Sequence, residues 1–206
     1  MFRLGLIINP VAGIGGAVGL KGSDGVVAEA LARGAVPKAQ ERARQALLPL
    51  CDLATPFELL TVAGEMGADL AASLQLPCRI VYQPVSGATT AADTRAAADL
   101  MRAAGVDLLL FAGGDGTARD ICAAVGESCH VLGIPAGCKI HSGVYGVTPA
   151  ASGRVAARMI AGELLSLVDA DVMDIDEEAF RLGKVRARHY GQLLVPGDLR
   201  YVQAVK

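Results

Sequence analysis

Phe111-Ala-Gly-Gly-Asp-Gly-Thr-Ala-Arg-Asp120 sets one carboxylate, Asp115, among three glycines. Glycine has no Cβ to hold a ligand off and tolerates dihedrals that other residues resist, so the amides of Gly113, Gly114 and Gly116 are expected to cradle a polyphosphate. Thr117 can cap the helix that follows, whose N-terminal end carries partial positive charge and favours the same anion. The competing reading is a tight turn with Asp115 as a local cap. A second glycine-rich run, Asn9 to Gly25, contains six glycines. Asn9, the only asparagine in the chain, stands there with Pro10 and Gly13, either orienting a nucleotide or closing an Asx turn. Elsewhere, the hydroxyls of Thr89, Thr90 and Thr94 can bind phosphate or ribose, although capping explains Asp93 and Thr94 equally well. Arg119 and Asp120 fall in the first turn of the signature helix, where Arg119 can reach a phosphate and Asp120 can hold magnesium, or both can line a helix surface. Lys139, His141 and Ser142, in a later loop, can close on a ligand bound at the same rim. His130 and His189 read as structural, and the acidic stretch Asp169 to Glu178 as a solvated face.

These residues need a scaffold that brings loops together. Apolar runs predict strands over Phe2–Ile8, Phe57–Val62, Arg79–Gln83, Val106–Ala112 and His130–Ile134. Between them, helices are expected over Val26–Arg33, Lys38–Leu48, Glu65–Leu74, Thr94–Ala104, Ala118–Val125 and Ala150–Leu165, the first capped by Ser23 or Asp24. Alternating strands and helices imply right-handed crossovers and a doubly wound parallel sheet. Ligands of such sheets lie beyond the carboxyl ends of the strands, and both glycine-rich loops fall there. Residues 1–165 are therefore expected to form a nucleotide-binding α/β domain. After it, Val172–Ile175, Lys184–Val195 and Tyr201–Val205 read as strands around a Pro196-Gly-Asp198 turn, so 166–206 looks like the incomplete start of a β-rich unit. Its exposed strands suggest pairing with another chain, and a homo-oligomer is expected.

Composition removes several function classes. At 206 residues the chain can bury about 70% of its unfolded surface. Hydrophobic residues make up 52% and aromatics 4%, with no Trp, so the core must be built from Ala, Val, Leu and Ile, as suits helices on a buried parallel sheet. A net charge of −2 argues against nucleic acid or an anionic membrane as partner. Five cysteines without a C-x-x-C pair suggest neither a zinc site nor a disulfide framework and fit a cytoplasmic setting. Gly13-Ile-Gly-Gly16 does not complete G-x-G-x-x-G, and Gly19-Leu-Lys21 lacks the spacing of a Walker A loop.

Gly113-Gly-Asp-Gly-Thr117 resembles the signature of the superfamily that contains NAD kinases, diacylglycerol and sphingosine kinases and 6-phosphofructokinases. Together with Ile8-Asn-Pro-Val-Ala-Gly-Ile-Gly-Gly16, Gly19-Leu-Lys-Gly-Ser-Asp-Gly25 and Gly133-Ile-Pro-Ala-Gly-Cys-Lys-Ile-His-Ser142, it looks like the ATP-NAD kinase-like proteins related to those encoded with acetoin-catabolism genes. The resemblance implies a three-layer α/β domain and phosphoryl transfer from ATP, or inorganic polyphosphate, to a hydroxyl such as the adenosine ribose of NAD, in NADP biosynthesis, with Mg2+ neutralising the phosphates. Asp115 matches the carboxylate that accepts the hydroxyl proton. Gly113, Gly114, Gly116 and Thr117 match the phosphate-contacting turn. Two alternatives stay open: a nucleotide-binding regulatory module without catalysis, and a kinase of lipid or sphingoid substrates.

Overall fold

The computed structural model describes residues 1–20, 25–85, 89–137, 140–163, 166–175, 186–198 and 200–203. The expected caps Ser23 and Asp24, and the candidate Lys139, lie outside them.

Five strands, β1 (Phe2–Ile8), β2 (Phe57–Val62), β3 (Cys78–Tyr82), β4 (Leu108–Gly113) and β5 (Val131–Pro135), form one parallel sheet in the order β3-β2-β1-β4-β5. The helices α1 (Val27–Ala32), α2 (Ala39–Cys51), α3 (Ala68–Ser73), α4 (Ala91–Ala103), α5 (Asp115–Val125) and α6 (Pro149–Ile160) flank it. This is the doubly wound α/β fold expected from the alternation of strands and helices. Every residue of β4 is buried, because helices on both faces leave no solvated side, and its Leu-Leu-Leu-Phe-Ala-Gly sequence is apolar throughout for that reason. β3, at the edge, is largely exposed.

The order of strands reverses between β1 and β4, where Leu4 pairs with Leu108 and Ile8 with Ala112. Chains leaving these two strands turn to opposite faces, which opens a crevice at their carboxyl ends. Asn9 begins on one side of it, its N–H bonded to the Ala112 carbonyl at 2.9 Å. Gly114 and α5 begin on the other.

Helix ends depart from expectation where backbone geometry overrides pattern. α5 starts at Asp115 rather than Ala118, since Gly114 is an extended N-cap (φ −117°, ψ −169°). α6 starts at Pro149, with Thr148 accepting the Ala151 N–H at 3.1 Å, a cap followed by a proline at the first helical position. It stops at Ile160, short of Leu165, and Gly162 follows with φ +81°.

β6 (Ser166–Ile175) and β7 (Ala187–Gly197) pair as an antiparallel ribbon. A two-stranded ribbon is marginal alone, and this one buries Ala170, Val172, Leu193 and Val195 in the same apolar core as the sheet. β7 runs straight through Pro196 and Gly197, where a turn was expected. Of the expected last strand, 204 and 205 lie outside the described residues, and among those described Val202 makes a single bridge, to Gly146.

Gly153 fixes how closely α2 and α6 approach: a Cβ there would meet the Ala46 carbonyl oxygen at 2.0 Å. Alanine gains about 1 kcal/mol over glycine within a helix, but the obstacle is backbone and cannot swing aside, so an overpacking cost of about 1–3 kcal/mol or more prevails. Gly153→Ala should therefore lower the thermal midpoint, by about 2–4 °C for each kcal/mol lost in a chain of this size, as read by circular dichroism.

Candidate active site

The Asp115 side chain is 6% exposed and both its oxygens are occupied. Oδ2 accepts the His141 backbone N–H at 2.8 Å and faces the His141 ring Nδ1 at 3.0 Å. Oδ1 accepts the Ser142 N–H at 3.1 Å and the Ser142 hydroxyl at 2.7 Å. The loop after β5 thus closes on the first residue of α5. Ser142, itself buried, also accepts the Met173 N–H at 3.0 Å, so one hydroxyl links the carboxylate to β6. The segment after Ser142 stays against the ribbon, Gly143 donating to the Asp171 carbonyl at 3.0 Å.

The signature glycines serve close packing rather than unusual dihedrals, since none of the three has positive φ. A Cβ on Gly113 would lie 2.4 Å from the Thr117 Cβ, and one on Gly137 would lie 2.9 Å from the Gly114 Cα. The Gly113 carbonyl accepts both the Ala136 and Gly137 N–H groups, which seats the β5 loop directly on the signature turn. Gly116 is different: the nearest atom to its would-be Cβ is Asp174 Oδ2, at 3.9 Å. Around Gly116 and Thr117 the first N–H groups of α5 have no partner within the helix, and such an end attracts anions.

Asn9 crosses the crevice. Its Oδ1 accepts the Val11 N–H at 3.2 Å, an Asx turn, while its Nδ2 donates to Thr117 Oγ1 at 3.0 Å. Thr117 is therefore the third residue of α5, held by Asn9, and Gly114 occupies the cap position expected for it. Gly13, with φ +75°, lies in the turn that follows β1, a conformation that a side chain would strain.

The remaining candidates are tied into the scaffold. Arg119 pairs with Asp174 at 3.0 Å and lies over the Tyr190 ring. Asp120 is buried and takes Arg95 Nη1 on Oδ1 at 2.8 Å, joining α5 to α4. Thr90 is exposed at the N-terminus of α4, its N–H and hydroxyl both directed to Asp93 Oδ2. Burial pushes the Asp93 carboxyl up, but hydrogen bonds from Thr90 and Tyr82 outweigh it and hold it below the usual carboxylate range.

Tyr145 escaped the reading of the sequence, and Asp174, within the stretch that reads as a solvated face, pairs instead with Arg119. Tyr145 is fully buried; its hydroxyl donates to the Gly114 carbonyl at 2.6 Å and its ring lies edge-on to Phe111, over Gly133. Burial, with the nearby charges of Asp115 and Asp174, pushes that phenol well above its ordinary value, so it stays a neutral donor. No motif marks it. Asp174 did leave a signal: it shares the parity of the buried Ala170 and Val172 along β6, the side facing the body of the protein.

Magnesium, implied by the resemblance, is held in phosphotransfer sites by one or two carboxylates together with the substrate's phosphates. Among the described residues no three His, Cys, Asp or Glu side chains gather, and Asp120, the candidate ligand, already serves Arg95. Nor, among the described residues, is any helix long and apolar enough to cross a membrane.

The family model described as the ATP-NAD kinase N-terminal domain matches residues 4–164. No curated protein and no solved structure gives a match.

Ser142→Ala removes the hydroxyl from Asp115 and leaves the Met173 N–H unpaired, so urea denaturation should show a loss of about 1–3 kcal/mol. Asp93 adds stability that is fully present above its unfolded value of about pH 4 and is lost as pH falls through its lowered folded value. Asp93→Asn should accordingly flatten the acid side of the stability–pH curve, measured by the urea midpoint at successive pH values.

Proposed function

Because the chain belongs to the ATP-NAD kinase family, we propose that it transfers a phosphoryl group from ATP, or from inorganic polyphosphate, to a ribose hydroxyl of NAD or a related nucleotide. Kinase activity in general follows from the family; the donor and the acceptor are the proposal. The observation that carries it is a carboxylate, Asp115, in the first turn of a helix that opens at the sheet's topological switch point. There the α5 N-terminus favours phosphate, and an acid–base group stands within one helical turn of it.

Phosphoryl transfer asks little covalent chemistry of a protein and a great deal of positioning. Orientation supplies about 7–11 kcal/mol in favourable cases, whereas proton removal by a side chain supplies about 10²–10⁴-fold in rate. The larger share therefore belongs to the groups that shape the crevice. Gly116 and Thr117 offer amides to the phosphates, Asn9 holds Thr117 in place, and the Gly13 turn forms the opposite wall. Gly113 and Gly114 act by allowing the β5 loop to close on the turn, and Ser142 by positioning Asp115. Thr90 is committed to Asp93 at the N-terminus of α4, and Arg119 lends positive charge beside Gly116 while remaining paired with Asp174.

The four hydrogen bonds on Asp115 favour one second reading, a module that binds nucleotide without turning it over. ADP and phosphorylated product are followed with ATP, magnesium and a panel that includes NAD, other nucleosides and a sphingoid base, and ATP binding is measured by calorimetry. The expected result is transfer to a nucleotide hydroxyl, lowered about 10²-fold or more by Asp115→Asn. Binding of ATP without transfer to any acceptor would establish the module instead.

A further inference from the structure

We propose that Tyr145 is a positioning residue for the transfer: through the Gly114 carbonyl it sets the Gly114–Asp115 peptide, and with it both the first amide of α5 and the root of the Asp115 side chain. The inference rests on the phosphotransfer reading, keeps Asp115 as the proton acceptor, and adds a residue that acts on the site from behind.

The Gly114 carbonyl takes the Tyr145 hydroxyl at 2.6 Å and the Ala118 N–H at 3.0 Å. A backbone carbonyl has two lone pairs, so both are filled and the group cannot turn without losing a bond. A peptide unit is planar and trans, with its N–H opposed to its C=O. Fixing the Gly114 carbonyl therefore aims the Asp115 N–H the other way, out of the end of α5, where it donates to no described residue. Gly114 is otherwise the softest joint of the turn, extended at φ −117° and ψ −169° just ahead of the helix and without a Cβ to limit rotation. The plane before it is held in the same manner, since the Gly113 carbonyl takes the Ala136 and Gly137 N–H groups at 2.9 and 3.1 Å.

Packing alone asks for a ring at this position, not for a phenol. The ring stands edge-on to Phe111 with centroids 5.4 Å apart, and it covers Gly133, where a Cβ would come within 2.3 Å of it. A buried hydroxyl is costly unless it is paired, so the oxygen is accounted for by its bond to Gly114. The support behind the ring is also fixed. Gly133 donates to the Val144 carbonyl at 2.8 Å and accepts the Gly146 N–H at 3.0 Å, while the Gln203 N–H reaches the Tyr145 carbonyl at 2.8 Å. One short run thus holds Asp115 from two ends, its carboxylate by His141 and Ser142 and its peptide by Tyr145. Dipoles already aimed at developing charge need no reorganisation as the transition state forms, so the hydroxyl acts on kcat more than on ATP binding.

The test uses the full chain, well below its thermal midpoint. Transfer from ATP to the best acceptor of the panel is measured for wild type, Tyr145→Phe and Ile160→Val, with folding checked by circular dichroism. Tyr145→Phe keeps the ring and leaves the Gly114 carbonyl its Ala118 N–H; Ile160→Val trims a buried side chain of α6 outside the site and serves as the comparator for lost stability. Tyr145→Phe should lower kcat about 10-fold or more, with KM for ATP within about threefold of wild type. Ile160→Val should keep kcat within about twofold, and 3-fluorotyrosine at position 145, which restores the hydroxyl, should recover most of the rate. In the wild type, NMR should show a slowly exchanging Tyr145 hydroxyl proton in contact with the Ala118 N–H, the two sharing one carbonyl. A freely exchanging hydroxyl without that contact overturns the inference whatever the variants do. So does a Tyr145→Phe protein with unimpaired kcat, one that loses only ATP affinity, or a loss that Ile160→Val matches. A wild type that binds ATP yet phosphorylates no acceptor overturns the phosphotransfer reading itself, and this role with it.

Discussion

The buried carboxylate of Asp115 is the constraint around which the rest is arranged. A charge removed from water is costly unless every lone pair is met, and the structure meets them with the 141–142 backbone, the Ser142 hydroxyl and the His141 ring. That requirement pulls the loop after β5 across the top of α5. Through the Met173 N–H on Ser142 it also holds β6 in register with the site. Sheet, signature helix and ribbon therefore meet at one side chain, and a change at any of the three is felt at the same two oxygens.

Glycine makes this convergence possible by absence rather than by flexibility. Gly113 leaves room for Thr117, Gly114 and Gly137 let two backbones touch, and Gly133 accepts the face of Tyr145. Each contact brings main chain closer than a Cβ would allow, and the loops after β4 and β5 become one wall. The turn after β1 is the exception, since Gly13 does adopt a left-handed conformation. Asn9 then joins the two sides of the crevice through Thr117, so the cleft between β1 and β4 is held at a defined width before any ligand arrives.

The ribbon shows how a short β segment is stabilised without a sheet of its own. Ala170 and Val172 on β6 and Leu193 and Val195 on β7 complete the core beside β5 and α5, while Asp174, two residues further along the same face, reaches Arg119 instead of more hydrocarbon. One strand face thus supplies both packing and charge to the margin of the crevice. The acidic stretch that reads as solvated in one dimension is divided by parity in three: Asp171 meets His189 and Gln192 on the outside, and Asp174 turns inward.

Local pattern determined the architecture. The inner runs of β4 and β5 are strands with no polar face to offer solvent, whereas β3 carries Arg79 and stays largely exposed at the edge, and the glycines and prolines between the runs mark turns whatever the fold. The position of Asp115 at a strand-to-helix junction, and its neighbourhood with Asn9 at one rim of the sheet, follow from order along the chain. Tertiary structure alone decided what the carboxylate touches. Its partners His141 and Ser142 lie 26 and 27 residues from Asp115 in sequence, and Met173, which bonds Ser142, lies 58 away; no periodicity encodes which loop crosses a crevice or which glycine faces a threonine. Secondary structure answers to neighbours three or four residues away, whereas a buried charge is satisfied by whatever donors the folded chain brings within three ångströms.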